Sequence, residues 1–208
     1  EGGLADMRRN IDAWWPSVSA GEVETIVMNA SGCGVMVKDY GHALARDPAY
    51  ADKARRIGEL TRDLSELLPE IVQKLKPKLA LPRSAGKRGG GAPRSAERRM
   101  KRVAFHPPCT LQHGQQLRGG VEAGLRELGF EVELAGEESH LCCGSAGTYS
   151  VLQPTLAHQL RDRKLGHLAA VQAEAIVSAN IGCIQHLQSG TRTPVRHWVE
   201  VLDEALGH

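Results

Sequence analysis

The chain has 208 residues, of which 41% are hydrophobic, so it can bury a substantial core. Its net charge of +2 is small and argues against nucleic acid as a partner, and no apolar run is long enough to span a membrane. We expect no signal peptide, and five cysteines, an odd number, favour a reduced cytoplasmic setting over a disulfide framework.

The N-terminal part predicts a mixture of helices and one strand. Apolar residues at helical spacings predict helices at 4–15, 40–44 and 51–75. Pro69 is expected to kink or divide the longest of them. A run with β-branched residues predicts a buried strand at 23–28, which leads into a loop of small residues at 29–34.

The stretch 76–101 differs in composition from the rest of the chain. It is rich in glycine and basic residues and offers almost nothing to bury, which is typical of a solvated linker. A basic arm for nucleic acid or anionic lipid is the alternative, although no aromatic residue is interleaved with the basic ones. We interpret 76–101 as a flexible, basic, Gly-rich linker.

After this linker, strands and helices alternate along the chain. Strands are predicted at 102–105, 130–134 and 175–178, and helices at 117–128, 149–170 and 195–206. Such alternation predicts an α/β fold, with a mostly parallel sheet and helices on its faces.

An internal repeat links the two parts of the chain. Residues 24–27 match 174–177, and Gly32-Cys33 recurs as Gly182-Cys183, 150 residues later. The fold is therefore predicted to contain the remnant of a duplicated unit, in which Cys33 is the counterpart of Cys183.

Cysteines follow the predicted strands of the second part, at Cys109, Cys142, Cys143 and Cys183. Loops at the carboxyl ends of parallel strands converge on one crevice, so these thiols can meet there. Soft thiolates select iron–sulfur clusters or zinc, and we predict an iron–sulfur cluster with zinc as the alternative. A thiol–disulfide redox pair is a third interpretation, although adjacent cysteines do not easily bridge each other.

Residues beside the thiols are candidates for supporting roles. Gly144 and Gly182 let backbone approach the metal and offer N–H donors to sulfur. His186 forms a C-x₂-H pair with Cys183 and is the first candidate for a histidine ligand. Three other histidines lie within a few residues of the cysteines: His106, His113 and His140. We predict no catalytic base or nucleophile.

The cysteine pattern resembles the cysteine-rich CCG domain of heterodisulfide reductases and of iron–sulfur subunits of flavin-linked 2-hydroxy-acid oxidases. The segments that most resemble glycolate oxidase iron–sulfur subunits are 29–34, 106–113, 142–149 and 180–184. On this resemblance, 1–75 corresponds to the tail of a first CCG domain plus helices, and 102–208 to a complete second domain. The family pattern usually ends in C-x₂-C, whereas this chain has Cys183 and His186 there.

The resemblance implies a non-catalytic electron-transfer subunit that holds an iron–sulfur cluster, expected to be of the 4Fe–4S type. It implies Cys109, Cys142, Cys143 and Cys183 as ligands, with Cys33 as a further ligand in the intact protein. The implied partners are flavin-containing glycolate oxidase subunits and, indirectly, the quinone pool. The implied location is the cytoplasm, or the periphery of the inner membrane. The alternatives are a zinc-stabilised docking module and a lactate-oxidising or disulfide-reducing relative.

Overall fold

The computed structural model describes residues 2–80 and 102–207. The first of these segments contains α1 (Gly2–Ser19), β1 (Ile26–Met28), α2 (Ser31–Lys38), α3 (Tyr40–Ala43), α4 (Ala51–Leu60), β2 (Thr61–Asp63), a 3₁₀ turn (Leu64–Leu67) and α5 (Leu68–Ala80). The second contains β3 (Arg102–His106), a π turn (Thr110–Gly114), α6 (Gly120–Glu127), β4 (Glu131–Leu134), α7 (Tyr149–Leu152), α8 (Pro154–Ala169), β5 (Ala175–Ser178), α9 (Ile181–Gln188), β6 (Val195–His197) and α10 (Trp198–Leu206).

All strand pairs in the described part of the chain are parallel, which confirms the predicted α/β fold. β1 and β2 form a two-stranded sheet, and the larger sheet has the order β4-β3-β5-β6. Helices α5, α6 and α10 pack on one face of the larger sheet, and α8 and α9 pack on the other. A separate cluster of apolar side chains joins α1, α2, α3 and α4. Cys143 and Cys183 belong to the core on the α8 and α9 face.

The predicted duplication is visible in the strand register. Ile26 pairs with Thr61 in β1 and β2, and the equivalent Ile176 pairs with Val195 in β5 and β6. In both copies the first strand leads into an eight-residue helix, α2 or α9, and the second strand ends in a capping box. The caps that close these boxes are Asp63 in one copy and His197 in the other.

Four details of the predicted secondary structure were wrong. Residues 51–75 do not form one helix, because Thr61–Asp63 is a strand and the Asp63 cap starts a new turn. The small-residue segments at Cys33 and Cys183 are not loops: both cysteines lie in the first turn of a helix. Residues 195–197 form a strand before the last helix begins.

The fourth detail concerns the start of the predicted linker. Residues 81–101 lie outside the described residues, but 76–80 continue α5 through Pro77. Leu79 is buried, and Leu75 packs against the same core as Leu79. This apolar contact with the larger sheet's helices carries α5 past the predicted boundary at residue 75.

None of the helices in the described ranges is long and apolar enough to cross a membrane.

Candidate metal centre

The cysteines of the second segment gather at one edge of the larger sheet. Cys109 follows β3, Cys142 and Cys143 lie in the loop after β4, and Cys183 follows β5 at the start of α9. Because β3, β4 and β5 are parallel, their carboxyl ends lie side by side. The fold therefore brings the segments that carry the four predicted thiol ligands together.

The most buried part of this site is a group of one histidine and two cysteines. The ligand atoms of His106, Cys143 and Cys183 all lie within 4.8 Å of one another. Each of the three residues is at most 4% exposed. Neither ring nitrogen of His106 has a hydrogen-bond partner in the described structure. A buried polar group without a partner is rare and calls for an explanation, such as an ion.

The four thiols interact in the order Cys109, Cys142, Cys143 and Cys183. Hydrogen bonds from Cys109 and Cys143 lower the pKa of Cys142. A hydrogen bond from Cys143 lowers the pKa of Cys183, and the nearby His106 ring adds to this effect. In turn, the bond to Cys142 raises the pKa of both Cys109 and Cys143, and burial raises each further. The site thus favours thiolates at alternate positions, next to thiols that must lose a proton to bind metal.

Neutral donors surround the sulfur atoms. The Gly144 N–H donates to Cys142 Sγ at 3.3 Å. Ser145 Oγ donates to Cys183 Sγ at 3.7 Å, and Asn180 Nδ2 donates to the same sulfur at 3.5 Å. Such donors stabilise thiolate charge and raise the reduction potential of bound clusters.

The two predicted glycines play different parts. Gly144 is buried, has φ of +92°, and faces the backbone of α8, where a Cβ would overlap the Ala157 carbonyl oxygen. Gly182 is exposed in the first turn of α9, and a Cβ there would lie 3.4 Å from Asn180 Nδ2 and 3.6 Å from Ser145 Oγ. Gly144 therefore allows the close approach of the cysteine loop to α8, while Gly182 leaves room for the sulfur donors.

Helix α8 holds the segment that precedes the adjacent cysteines. The buried Lys164 ammonium donates to the carbonyls of Glu138 (2.6 Å) and Ser139 (3.2 Å). The Glu138 carboxylate binds Arg163 and His167, and Arg163 lowers the pKa of that carboxyl. Burial lowers the pKa of Lys164, while negative charge at the adjacent cysteines and at Glu138 opposes this shift. The cation thus lies close to the thiolates and offsets part of their charge.

Cys109 and Cys142 are partly exposed and lie outside the group of three, and two further predicted residues lie apart from it. His186 is half-buried; its Nε2 donates to the Ala157 carbonyl at 3.1 Å, and its ring stacks on His158. Cys33 occupies in α2 the place that Cys183 has in α9, but it is exposed. Among the described residues, Cys33 has no group of three potential ligands around it.

Sequence reasoning gave His106 no more weight than three other histidines, and it did not single out Lys164. The pattern around His106 did contain a signal. Side chains alternate between the faces of a strand, and Val103 and Phe105 point into the core formed with α5, α6 and α10. Ala104 and His106 therefore share the face of Cys143 and Cys183, once the strand's position in the sheet is known.

The donor set fits a soft metal group. Two buried cysteines with a histidine, and two further thiols that interact with them in sequence, match the ligands of iron–sulfur clusters and also those of zinc. All five cysteines are free thiols, so each is available as a ligand.

Comparison with known proteins shows which proteins this site resembles. Residues 103–188 match the cysteine-rich domain CCG. The chain is 51% identical over 207 residues to the glycolate oxidase iron–sulfur subunit of Escherichia coli. The aligned region covers 99% of this chain and 46% of that protein. It is 26% identical over 191 residues to lactate utilization protein A of Geobacillus thermodenitrificans, covering 71% of that protein. A probable glycolate oxidase iron–sulfur subunit of Bacillus subtilis is 25% identical over 203 residues.

The chain spans less than half the length of its Escherichia coli relative. The match to the domain model includes Cys109, Cys142, Cys143, Cys183 and the whole buried group. The predicted resemblance is therefore confirmed: residues 103–188 match the cysteine-rich domain CCG, and the chain is similar over nearly all its length to the glycolate oxidase iron–sulfur subunit of Escherichia coli.

Proposed function

We propose that this chain is the iron–sulfur electron-transfer part of a flavin-linked oxidase complex that acts on glycolate or a related 2-hydroxy acid. The observation that carries the proposal is the buried group of His106, Cys143 and Cys183 at the carboxyl edge of the sheet, where the segments with Cys109 and Cys142 also lie. The 51% identity to a glycolate oxidase iron–sulfur subunit supports glycolate as the substrate of the complex. The likeness to lactate utilization protein A makes lactate the first alternative.

The proposed ligands are Cys109, Cys142, Cys143 and Cys183. A bound iron–sulfur cluster, proposed to be of the 4Fe–4S type, supplies one-electron redox chemistry. The N–H of Gly144 and the side chains of Ser145 and Asn180 stabilise the thiolates. Gly182 leaves space beside Cys183. His186 links α9 to α8 through its hydrogen bond to the Ala157 carbonyl.

We assign Cys33 to a second site, in the tail of a first CCG domain at 1–75, with 102–208 as the second domain. The repeated strand register supports this assignment, because Cys33 and Cys183 occupy equivalent places. The remaining ligands of Cys33 would lie on residues beyond this chain, which spans less than half of the Escherichia coli relative. Helix α5 packs on the larger sheet, so the two domains share part of a core.

We propose flavin-containing glycolate oxidase subunits as the partners, with electrons passing on towards the quinone pool at the cytoplasmic face of the inner membrane. Large apolar side chains are exposed on the elements that flank Cys143 and Cys183: Val151, Leu152, Leu156 and Ile181. Exposed apolar groups mark contact surfaces, and a partner docked there would come close to the metal centre.

The test is anaerobic reduction of the chain by its flavin partner. Glycolate gives up two electrons and two protons to become glyoxylate at the flavin, which then passes on electrons one at a time. With co-purified flavin subunits, glycolate should bleach the visible absorption of the iron–sulfur protein, and glyoxylate should appear in proportion. Bleaching by lactate but not by glycolate would identify lactate as the substrate of the complex. Bleaching by neither substrate, with an intact and dithionite-reducible cluster, would contradict it.

A zinc-stabilised docking module is the second candidate. The buried His106, Cys143 and Cys183 supply the mixed nitrogen and sulfur donors that structural zinc sites use, with Cys142 or Cys109 as the fourth ligand. Zinc has no redox chemistry, so this candidate predicts a colourless protein that binds the flavin subunit without accepting electrons from it.

A further inference from the structure

His106 is the most deeply buried histidine of the site. It ends β3, and its side chain is 1% exposed on the face of the sheet that α8 and α9 cover. Its backbone is fixed by pairing with Ser178 in β5, and Ser178 Oγ donates to the His106 carbonyl at 3.0 Å. The ring therefore has little freedom to leave the place where the strand puts it.

Neither ring nitrogen of His106 makes a hydrogen bond of normal geometry in the described structure, and the nearest polar group on which the ring acts is Cys183, whose pKa it lowers. An unsatisfied buried polar group costs about 1–3 kcal/mol, so a folded protein normally gives it a partner. The potential partners within reach are the sulfur atoms of Cys143 and Cys183, and whatever those sulfur atoms bind. An imidazole beside two cysteine sulfur atoms is itself a good nitrogen donor for iron or zinc.

The other histidines near the cysteines are placed less favourably. The Nε2–H of His186 is taken by the Ala157 carbonyl. His113 is exposed, with Nδ1 facing Arg118 at 3.3 Å, and His140 is exposed. Of these four histidines, His106 alone combines burial, unpartnered nitrogens and two neighbouring thiols within 4.8 Å.

We propose that His106 is a nitrogen ligand of the metal centre, beside Cys143 and Cys183. The inference rests on the proposed function in one respect, namely that the site binds iron. It replaces the sequence-based expectation that His186, in the C-x₂-H pair, is the histidine ligand. An imidazole is neutral where a thiolate is negative, so its presence gives the centre a higher reduction potential than cysteine would in its place.

The experiment is pulsed electron paramagnetic resonance on the reduced, anaerobically purified chain. Histidine labelled with ¹⁵N only in the imidazole ring separates a ring ligand from backbone N–H groups such as that of Gly144, which donates to Cys142. We expect a strong ¹⁵N hyperfine coupling in the labelled protein, replaced by a ¹⁴N coupling in the unlabelled protein. Absence of ring-nitrogen coupling in an iron-loaded sample would overturn the proposal.

Variants then identify the ring. His106→Gln should lose the coupling and hold less than half of the wild-type iron, whereas the control variant His113→Gln should keep both. His186→Gln tests the sequence-based alternative and should keep the coupling in whatever iron it holds. Retention of the coupling in His106→Gln would overturn the assignment. His106→Cys replaces the imidazole with a thiolate ligand and should lower the reduction potential of the metal centre. If His106 had only a structural role, this substitution would leave the potential unchanged. The wild-type labelling result stands even if a variant fails to fold.

The outcomes separate this inference from the proposed function. Iron with sulfide but without imidazole coupling refutes His106 as a ligand and leaves the electron-transfer proposal standing. Zinc without iron refutes the electron-transfer proposal. X-ray absorption at the zinc edge then decides on His106: a nitrogen shell that disappears in His106→Gln supports it as a ligand, and an all-sulfur shell overturns it.

Discussion

Some residues at this site supply sulfur ligands, and others stabilise the charge of those ligands. Cys143 and Cys183 bring sulfur into the core, where charge is costly, and small neutral groups make that charge tolerable. Gly144 donates its N–H to Cys142, while Ser145 and Asn180 serve Cys183. The loop after β4 supplies the Gly144 and Ser145 donors in this position because Gly144 adopts a left-handed conformation directly against α8.

Replacing this glycine should damage both the fold and the metal site. Gly144→Ala places a side chain at φ of +92° and against the Ala157 carbonyl, so we expect a loss of more than about 2 kcal/mol of unfolding free energy. Denaturant unfolding and metal analysis of the same samples measure the two effects. Gly147→Ala is the matched control, since Gly147 also has positive φ (+49°) but open space around it. It should lose about 1 kcal/mol and keep its metal; equal losses in both variants would contradict the close-approach argument.

At the scale of elements, α8 fixes the segment that precedes Cys142 and Cys143. Lys164 is 1% exposed and binds two carbonyls of that segment, whereas Arg163 and His167 hold the Glu138 carboxylate nearer the surface. Glu138 has φ of +48°, which is uncommon for a residue other than glycine. The helix thus stabilises a turn that the backbone alone would not prefer.

Lys164→Met removes the buried cation but keeps most of the side-chain volume. Two carbonyls lose their donor, so we expect the unfolding free energy to fall by about 1–3 kcal/mol. The reduction potential of the metal centre should also fall, because a positive charge near the thiolates is lost. Denaturant titration and redox titration test the two parts.

Arg163→Met is the control for this prediction. Its side chain is 61% exposed, and surface ion pairs contribute at most about 1 kcal/mol. We expect small changes in both measurements. An equal fall in potential in the two variants would show that the buried position of Lys164 has no special effect.

The secondary-structure elements differ in how well the sequence predicts them. The strand at 175–178 and the strand at 102–106 were predictable because β-branched and apolar runs lie between turn residues. Helices α2 and α9 were not, because their first turns contain glycine and cysteine and lack a side-chain cap. They form because packing against the sheets compensates for weak local propensity.

At the scale of the whole molecule, the two repeated units meet at their equivalent strand ends. The Ser31 N–H donates to the Ala179 carbonyl at 3.0 Å, and the Gly32 N–H donates to Asn180 Oδ1 at 3.2 Å. His197 Nε2 donates to the Asn29 carbonyl at 2.9 Å, while its Nδ1 accepts from Val199 N–H and caps α10. One neutral imidazole thus joins the units and starts the last helix.

Acid should weaken this junction. Burial holds the pKa of His197 below its ordinary value of 6.5, so the folded protein favours the neutral ring. As pH falls through 6.5 the unfolded chain takes up this proton first, and the stability present at higher pH is lost. His197→Asn keeps a good cap without titrating, so its unfolding free energy should fall less between pH 7.5 and about 5.5 than that of the wild type. Parallel curves for the two proteins would contradict this role.

The repeat itself was predictable from the matched segments around Cys33 and Cys183, and the shared register of the two strand pairs bears it out. The convergence of the cysteines was also predictable, because parallel strands align their carboxyl ends. The choice between His106 and His186 was not. It depends on which face of β3 meets α8 and α9, and spacing along the chain does not contain that information.

The central claim is that these thiols hold a redox-active iron–sulfur centre. Its most direct test is anaerobic purification of the chain, followed by iron, sulfide and zinc analysis with an absorption spectrum before and after dithionite. The account predicts iron with matching sulfide and visible absorption that dithionite bleaches. Stoichiometric zinc without iron, in a colourless protein, would contradict it and make the thiols structural ligands.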